Sequence, residues 1–267
     1  MQKITICDFQ SEIGEFVRVS ELIEARRSLL HFKLNLEKKI PRKESRAMRL
    51  GTMVHMACLE PEKFKTSYAP PIDPTGPESM EDLKAYLKVR GVQPKGRTKA
   101  ELIAQVKEVE PDFKSVEDQI KDWTMDRELV NQDDWDLVLG AKRSFDEHPV
   151  LKKLCVPSKM VTEERIFSRW TLPNGAGGYL TGSPDLVLPE QKMILELKRT
   201  FVVSSEAFMR NVFDRGYHLQ AAAYREMVSA ARGEQYTFAW VAIEAEPPHA
   251  ISLFVPDEAV LDRKSVV

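Results

Sequence analysis

The stretch Gly182-Ser183-Pro184-Asp185-Leu186-Val187-Leu188-Pro189-Glu190-Gln191-Lys192-Met193-Ile194-Leu195-Glu196-Leu197-Lys198-Arg199-Thr200 constrains this chain more than any other. Two apolar runs, 186–188 and 193–197, flank a polar turn at 189–192. That is the pattern of a β-hairpin whose second strand is largely buried. Charge is costly inside such strands unless something compensates it. Yet Asp185 opens the first strand, and Glu196 and Lys198 sit within the second. Side chains alternate along a strand, so Glu196 and Lys198 point the same way. Two carboxylates and an ammonium converging at one hairpin suit a divalent cation and a water. Carboxylate oxygens are preferred ligands of Mg²⁺, which keeps several waters and binds substrate phosphate. The competing reading is an amphipathic hairpin with solvated charges.

The spacing P-D-x10-E-x-K resembles the core pattern of the PD-(D/E)xK nuclease superfamily. Further phrases carry the same resemblance in the same order. Upstream, Gly51-Thr52-Met53-Val54-His55 is followed by Leu59-Glu60-Pro61. Met48, Thr52, His55, Met56 and Leu59 share one face of the predicted helix. This phrase looks like the RecE-type branch of exodeoxyribonuclease VIII proteins, in which the histidine of the early helix is a metal ligand. The resemblance assigns that role to His55. Downstream, Gln220 and Tyr224 lie four apart on one helical face, and the resemblance makes them residues that line the site. The alanine run 221–223 between them lets the helix sit close to a sheet.

Length and composition leave room for one substantial core: 267 residues, 43% hydrophobic and 30% charged. A formal net charge of −2 advertises no global affinity for nucleic acid, so a DNA-binding surface must be local. Cys7, Cys58 and Cys155 are odd in number and far apart, forming neither a disulfide framework nor a zinc spacing. A reducing cytoplasm is the expectation. No signal pattern and no run of transmembrane length is present, so no membrane partner is expected.

Early in the chain, Ser20 is the expected N-cap of a helix with Ile23, Leu29, Leu30 and Phe32 on its apolar face, closed by Pro41. A basic patch follows at Arg42, Lys43, Arg46 and Arg49, either a solvated helix end or a phosphate contact. Residues 66–78 read as a Pro-rich linker. Beyond it, Ser79 caps a helix ended by Gly91, and Thr98 caps a second one after a basic loop. This helix–loop–helix resembles SAP or HeH modules, which bind DNA through phosphates. Lys88, Lys95, Arg97 and Lys99 are its candidate contacts, with a neutral insertion as the competing reading. Further on, 126–137 and 138–145 read as helix. Residues 160–170 read as one strand, with Asn174-Gly175 in the following turn. By alternation along that strand Glu164 is favoured over Glu163 as an acidic site member. Thr237 to Glu244 and Ala250 to Val255 are strands.

The expected fold is α/β, a PD-(D/E)xK nuclease core with a mixed central sheet flanked by helices and a small helical insertion. Residues 1–75 would form the N-terminal helical part of the core, 76–110 the insertion and 111–267 the remainder. In the expected chemistry Asp185, Glu196 and the Leu197 carbonyl, with His55, hold one or two Mg²⁺ or Mn²⁺ ions. Lys198 orients or helps deprotonate the attacking water, with Gln220, Tyr224 and Glu164 beside it. The resemblance further implies a 5′→3′ exonuclease acting on linear double-stranded DNA ends. Such an enzyme leaves 3′ single strands for a single-strand annealing recombinase, and relatives form trimeric or tetrameric rings. Two positions depart from the family pattern: Ser183 stands where many relatives are basic, and Arg199 where many have Thr. A structure-selective or restriction-type endonuclease and a non-catalytic DNA-binding protein are the alternatives. An iron–sulfur nuclease is disfavoured, because it needs four clustered cysteines.

Overall fold

A computed structural model of the chain describes residues 16–26, 28–40, 44–171 and 177–262. Cys7, Pro41, Arg42, Lys43 and the Asn174-Gly175 turn lie outside the described residues. The chain divides into two compact units, one formed by Met1–Pro61 with Leu137–Val267 and the other by Glu62–Asp136.

The first unit begins with strand β1 (Phe16–Arg18), helix α1 (Val19–Glu24) and helix α2 (Leu29–Leu36). The single helix capped by Ser20 is not what forms. Arg18 is the N-cap of α1, and Ser28 starts α2 by accepting a hydrogen bond from the His31 amide. Leu29 and Leu30 are exposed on α2 rather than packed. Helix α3 (Arg46–Leu59) is capped by Ser45, whose hydroxyl accepts from the Met48 amide. Leu50, Met53, Val54, Ala57 and Cys58 are its buried residues, together with Leu59. The face bearing Met48, Thr52 and His55 is left at the surface or half-buried.

The second unit starts in helix α4 (Pro61–Ser67) and continues through strand β2 (Tyr68–Ala69), helices α5 (Met80–Val89), α6 (Lys99–Val109) and α7 (Val116–Thr124), and strand β3 (Glu128–Leu129). Ser79, Thr98 and Ser115 each make a capping box with an acid three residues on, namely Asp82, Glu101 and Asp118. Gly91 follows α5 with φ +77°, the left-handed conformation that terminates helices. Leu83, Leu87, Leu102, Val106 and Phe113 form this unit's own core. The helix pair expected at 76–110 therefore lies inside a larger compact unit.

Helix α8 (Gln132–Glu147) leads back to the first unit, followed by helix α9 (Leu151–Leu154). The segment 126–131, read as helix in the sequence, instead carries β3, and Met125 and Asp126 have positive φ. Then come strands β4 (Val161–Thr162), β5 (Ile166–Thr171), β6 (Gly177–Gly182), β7 (Leu186–Leu188) and β8 (Met193–Thr200). Helices α10 (Ser205–Asp214) and α11 (Tyr217–Arg232) precede strands β9 (Thr237–Glu244) and β10 (Ile251–Phe254) and helix α12 (Glu258–Asp262).

The strand predicted at 160–170 is broken. Glu163 has φ +51°, which ends β4 and sends β5 into a different sheet. One sheet has order β1-β6-β5. The other is five-stranded and mixed, in the order β10-β9-β8-β7-β4. Its β7–β8 hairpin is antiparallel, with Leu186 opposite Leu195, whereas β8 and β9 are parallel. Parallel neighbours need a crossover, and α10 and α11 supply it. Residues 238–243 of β9 are all buried, as expected for a central strand covered on both faces. Phe208 of α10 packs against Trp240 and stacks on Phe254, while Ala221 and Ala222 bring α11 close to the sheet. Among the described residues no helix is long and apolar enough to cross a membrane.

Candidate metal centre and cleft

Asp185 sits between β6 and β7 and is buried, only 7% exposed. Its Oδ2 accepts from the Leu197 amide at 2.6 Å, and its own amide donates to Glu196 Oε2 at 3.3 Å. The two acids are thus tied to each other's strand by the backbone. Glu196 is 2% exposed. Its Oε1 accepts from Lys198 Nζ at 2.9 Å and from Gln220 Nε2 at 2.8 Å. The shared face of Glu196 and Lys198 is what strand alternation predicts, and α11 delivers Gln220 to the same oxygen.

His55 reaches this hairpin from α3. Its Nε2 lies 2.8 Å from Asp185 Oδ1 and 3.5 Å from Glu163 Oε1. One ligand atom from each of His55, Glu163 and Asp185 falls within a span of 4.8 Å. Glu163 enters this group because its amide extends the β4–β7 ladder by donating to the Asp185 carbonyl at 3.2 Å. Glu164, favoured from the sequence, points elsewhere and pairs with Arg232. Alternation misassigned the two because it assumes a continuous strand, and the positive φ of Glu163 breaks it.

Tyr224 is buried and packs on Gly182. A Cβ built at Gly182 would meet Tyr224 Cε1 at 2.4 Å, so only glycine fits under this ring. The phenol is hydrogen-bonded to the Gln220 side chain, and burial pushes its pKa up to about 12. A residue not singled out in the sequence, Tyr217, lies beneath the catalytic candidate. Lys198 Nζ is 4.8 Å from its ring centroid. Helical spacing held the signal, since Tyr217, Gln220 and Tyr224 fall at i, i+3 and i+7.

The electrostatics are those of an acid cluster short of positive charge. Burial, then the neighbouring Asp185, pushes the Glu196 carboxyl up to about 7, although Lys198 pulls it down. Burial would lower the Lys198 ammonium, but Glu196 and Asp185 outweigh it and hold it above its ordinary value. Burial likewise opposes charge on His55. The hydrogen bond and charge of Asp185, with Glu163 and Glu196, win and raise it. These donors fit a divalent cation of the Mg²⁺ or Mn²⁺ type: carboxylate oxygens predominate, with one imidazole.

Beside the acids lies a cleft of about 670 Å³. The surface face of α3, the end of β8 and residues of α10 and α11 line it, and His55, Leu197 and Lys198 open onto it. Of the remaining candidates, Arg46 is exposed and Arg49 half-buried on α3, and neither lines the cleft. Lys88, Lys95, Arg97 and Lys99 belong to the other unit. Lys99 is bound to Glu117 at 2.5 Å, and the loop amides of Lys95 and Arg97 are taken by Gln105 and Glu101. The unit Glu62–Asp136 carries 17 Asp and Glu against 12 Lys and Arg, so its basic loop stands on an acidic background.

Residues 173–265 match a family model described as a PDDEXK-like domain of unknown function, DUF3799. No curated protein matches the chain. Among solved structures, a candidate exonuclease from Eubacterium rectale aligns with 99% of this chain and 82% of its own, at 14% identity and a TM-score of 0.56. A phage-related exonuclease from Haemophilus somnus 129PT aligns with 64% of this chain and 83% of its own, at 10% identity and a TM-score of 0.30. The mixed sheet flanked by helices is a PD-(D/E)xK nuclease fold.

Proposed function

We propose that this protein is a metal-dependent nuclease that hydrolyses DNA phosphodiesters, acting as an exonuclease on linear double-stranded ends. One observation carries the reading: His55, Glu163 and Asp185 present ligand atoms within 4.8 Å of one another, against a buried Glu196–Lys198 pair. Three carboxylates gathered around one imidazole and one ammonium make a group that a bound divalent cation would stabilise further. Mg²⁺ or Mn²⁺, one ion or two, would be held by His55, Glu163 and Asp185, with Glu196 and the Leu197 carbonyl at its border. When bound, the metal acidifies water and offsets charge on the phosphate.

The protein's own groups then have distinct tasks. Asp185 and Glu163 would supply the negative charge that holds the cation, and His55 an imidazole nitrogen. Lys198 holds a proton-rich ammonium at the mouth of the cleft, where it orients the attacking water and offsets charge as it grows on phosphorus. Gln220 fixes the Glu196 oxygen that Lys198 also uses, and Tyr224 buttresses Gln220. Arg46, Arg49, Lys88, Lys95, Arg97 and Lys99 contribute phosphate contacts, with the helix–loop–helix at 76–110 raising the local concentration of DNA. The same reading includes 5′→3′ polarity, 3′ single-stranded products for an annealing recombinase, and a ring-shaped homo-oligomer. It also places the protein in the cytoplasm.

Digestion of linear duplexes labelled at the 5′ or the 3′ end, with Mg²⁺ or with chelator, tests this. Early loss of the 5′ label with Mg²⁺ alone is expected. Circular duplex cut as fast as linear would move the assignment to an endonuclease. No Mg²⁺-dependent cutting of either would end it.

A further inference from the structure

The cleft carries more information than the metal group. Among its described lining residues there is no Asp or Glu, yet Lys198, Arg199 and Arg215 all border it. Lys198 is paired with Glu196 and Arg199 lies 4.0 Å from Glu246, which leaves Arg215 as the lining cation best placed to meet a polyanion. Arg215 is exposed and forms no ion pair among the described residues. Phe201, the residue after β8, is 78% exposed and stands at the same cleft. Phe208 and Tyr217 give the cleft aromatic and apolar walls. A cationic groove with an accessible aromatic face is how proteins hold single-stranded nucleic acid, because every base has a π-face to stack.

The size points the same way. About 670 Å³ falls within the ordinary range of small-ligand pockets, roughly 300–1,000 Å³. That admits one or two nucleotides of one strand. Inside a duplex a paired base offers only its edge in a groove, so away from an end its flat face reaches Phe201 only after it has left its partner.

We infer that the cleft is a subsite for an unpaired nucleotide flanking the scissile phosphate, its base stacked on Phe201 and its phosphate on Arg215. The word scissile rests on the nuclease reading; the stacking subsite does not. Two strands therefore have to part at the site, which favours frayed ends and overhangs over internal duplex.

The test uses the full chain with Lys198→Ala to stop hydrolysis, in Mg²⁺, and a single-stranded oligonucleotide carrying 2-aminopurine at its terminus. Stacking predicts quenched emission on binding. Adding Phe201→Ala should remove the quench and weaken binding roughly tenfold, while Phe201→Trp restores both. Arg215→Ala should weaken binding and leave the quench at saturation. Equal affinity and equal quench with Phe201→Ala would overturn the subsite, as would a quench by blunt duplex as strong as by single strand. The exposed position of Phe201 keeps folding out of the comparison, and an unchanged thermal melt verifies that. If the unsubstituted protein cuts nothing while the quench depends on Phe201, the nuclease reading fails and the subsite stands. Cutting with a quench indifferent to Phe201 gives the reverse.

Discussion

Lys198 Nζ lies 4.8 Å from the centroid of the Tyr217 ring, while the same nitrogen donates to Glu196 at 2.9 Å. A half-buried ammonium with one carboxylate partner and one aromatic face has few other places to go. A cation over an aromatic ring gains about 0.5–2 kcal/mol, most where water is excluded. We predict that Tyr217→Leu lowers kcat roughly 3- to 30-fold with little change in KM. Tyr217→Phe keeps the ring and should keep the rate. Steady-state digestion of an end-labelled duplex measures both. Equal losses in the two variants would show that the hydroxyl, not the ring, matters.

Glu163 and Glu164 make an internal control. Glu163 shares the ligand group with His55 and Asp185, and Glu164 pairs with Arg232 at the surface. Glu163→Ala should weaken Mn²⁺ binding by at least about tenfold, the loss expected even of residues behind the ligands. Glu164→Ala should leave metal affinity alone and cost at most about 1 kcal/mol of stability. Isothermal titration with Mn²⁺, alongside thermal melts, separates them. The opposite ranking would return Glu164 to the site.

Proton competition gives the third prediction. Folding raises His55 above 6.5, and Glu196 from 4.5 to about 7. Both groups thus bind protons more tightly folded than unfolded. Their contribution to the metal-free fold is full below the unfolded values and is lost as pH rises through the folded ones. The metal-free protein should accordingly melt lower at pH 8 than at pH 6. Divalent cations compete with those same protons, so Mn²⁺ affinity should increase over the same interval. Affinity that stays flat or falls from pH 6 to pH 8 would contradict the acid cluster as the binding group.

Gly182 offers a fourth, structural, prediction. A methyl there would sit 2.4 Å from the Tyr224 ring, three residues before Asp185. Gly182→Ala should destabilise the protein by about 1–3 kcal/mol, the usual cost of overpacking. Combining it with Tyr224→Leu should recover part of the melting temperature but not the activity. Additive losses in the double variant would mean that the two residues do not collide.

Local pattern made much of this architecture legible. The alternation in 193–200, the turn at 189–192 and the serine and threonine caps of α5 and α6 are short-range signals, and the chain obeys them. Glu196 and Lys198 share a face by strand periodicity, and α11 brings Gln220 to the same carboxylate. Periodicity failed where a single backbone angle overrode it. At Glu163 one positive φ turned a continuous strand into two, and the acid facing the histidine changed with it. Phe201 and Arg215 left no pattern to read, because the end of β8 and the α10–α11 junction meet only after the parallel crossover closes.

The left-handed backbone at Glu163 also bears on how this protein would drift under selection. A side chain with a Cβ is disfavoured there by about 1 kcal/mol relative to glycine, and asparagine is tolerated better than glutamate. A library chosen only for heat resistance should therefore drift to glycine or asparagine at 163. One chosen for cutting DNA should keep the acid, so the two screens would part company at a single codon.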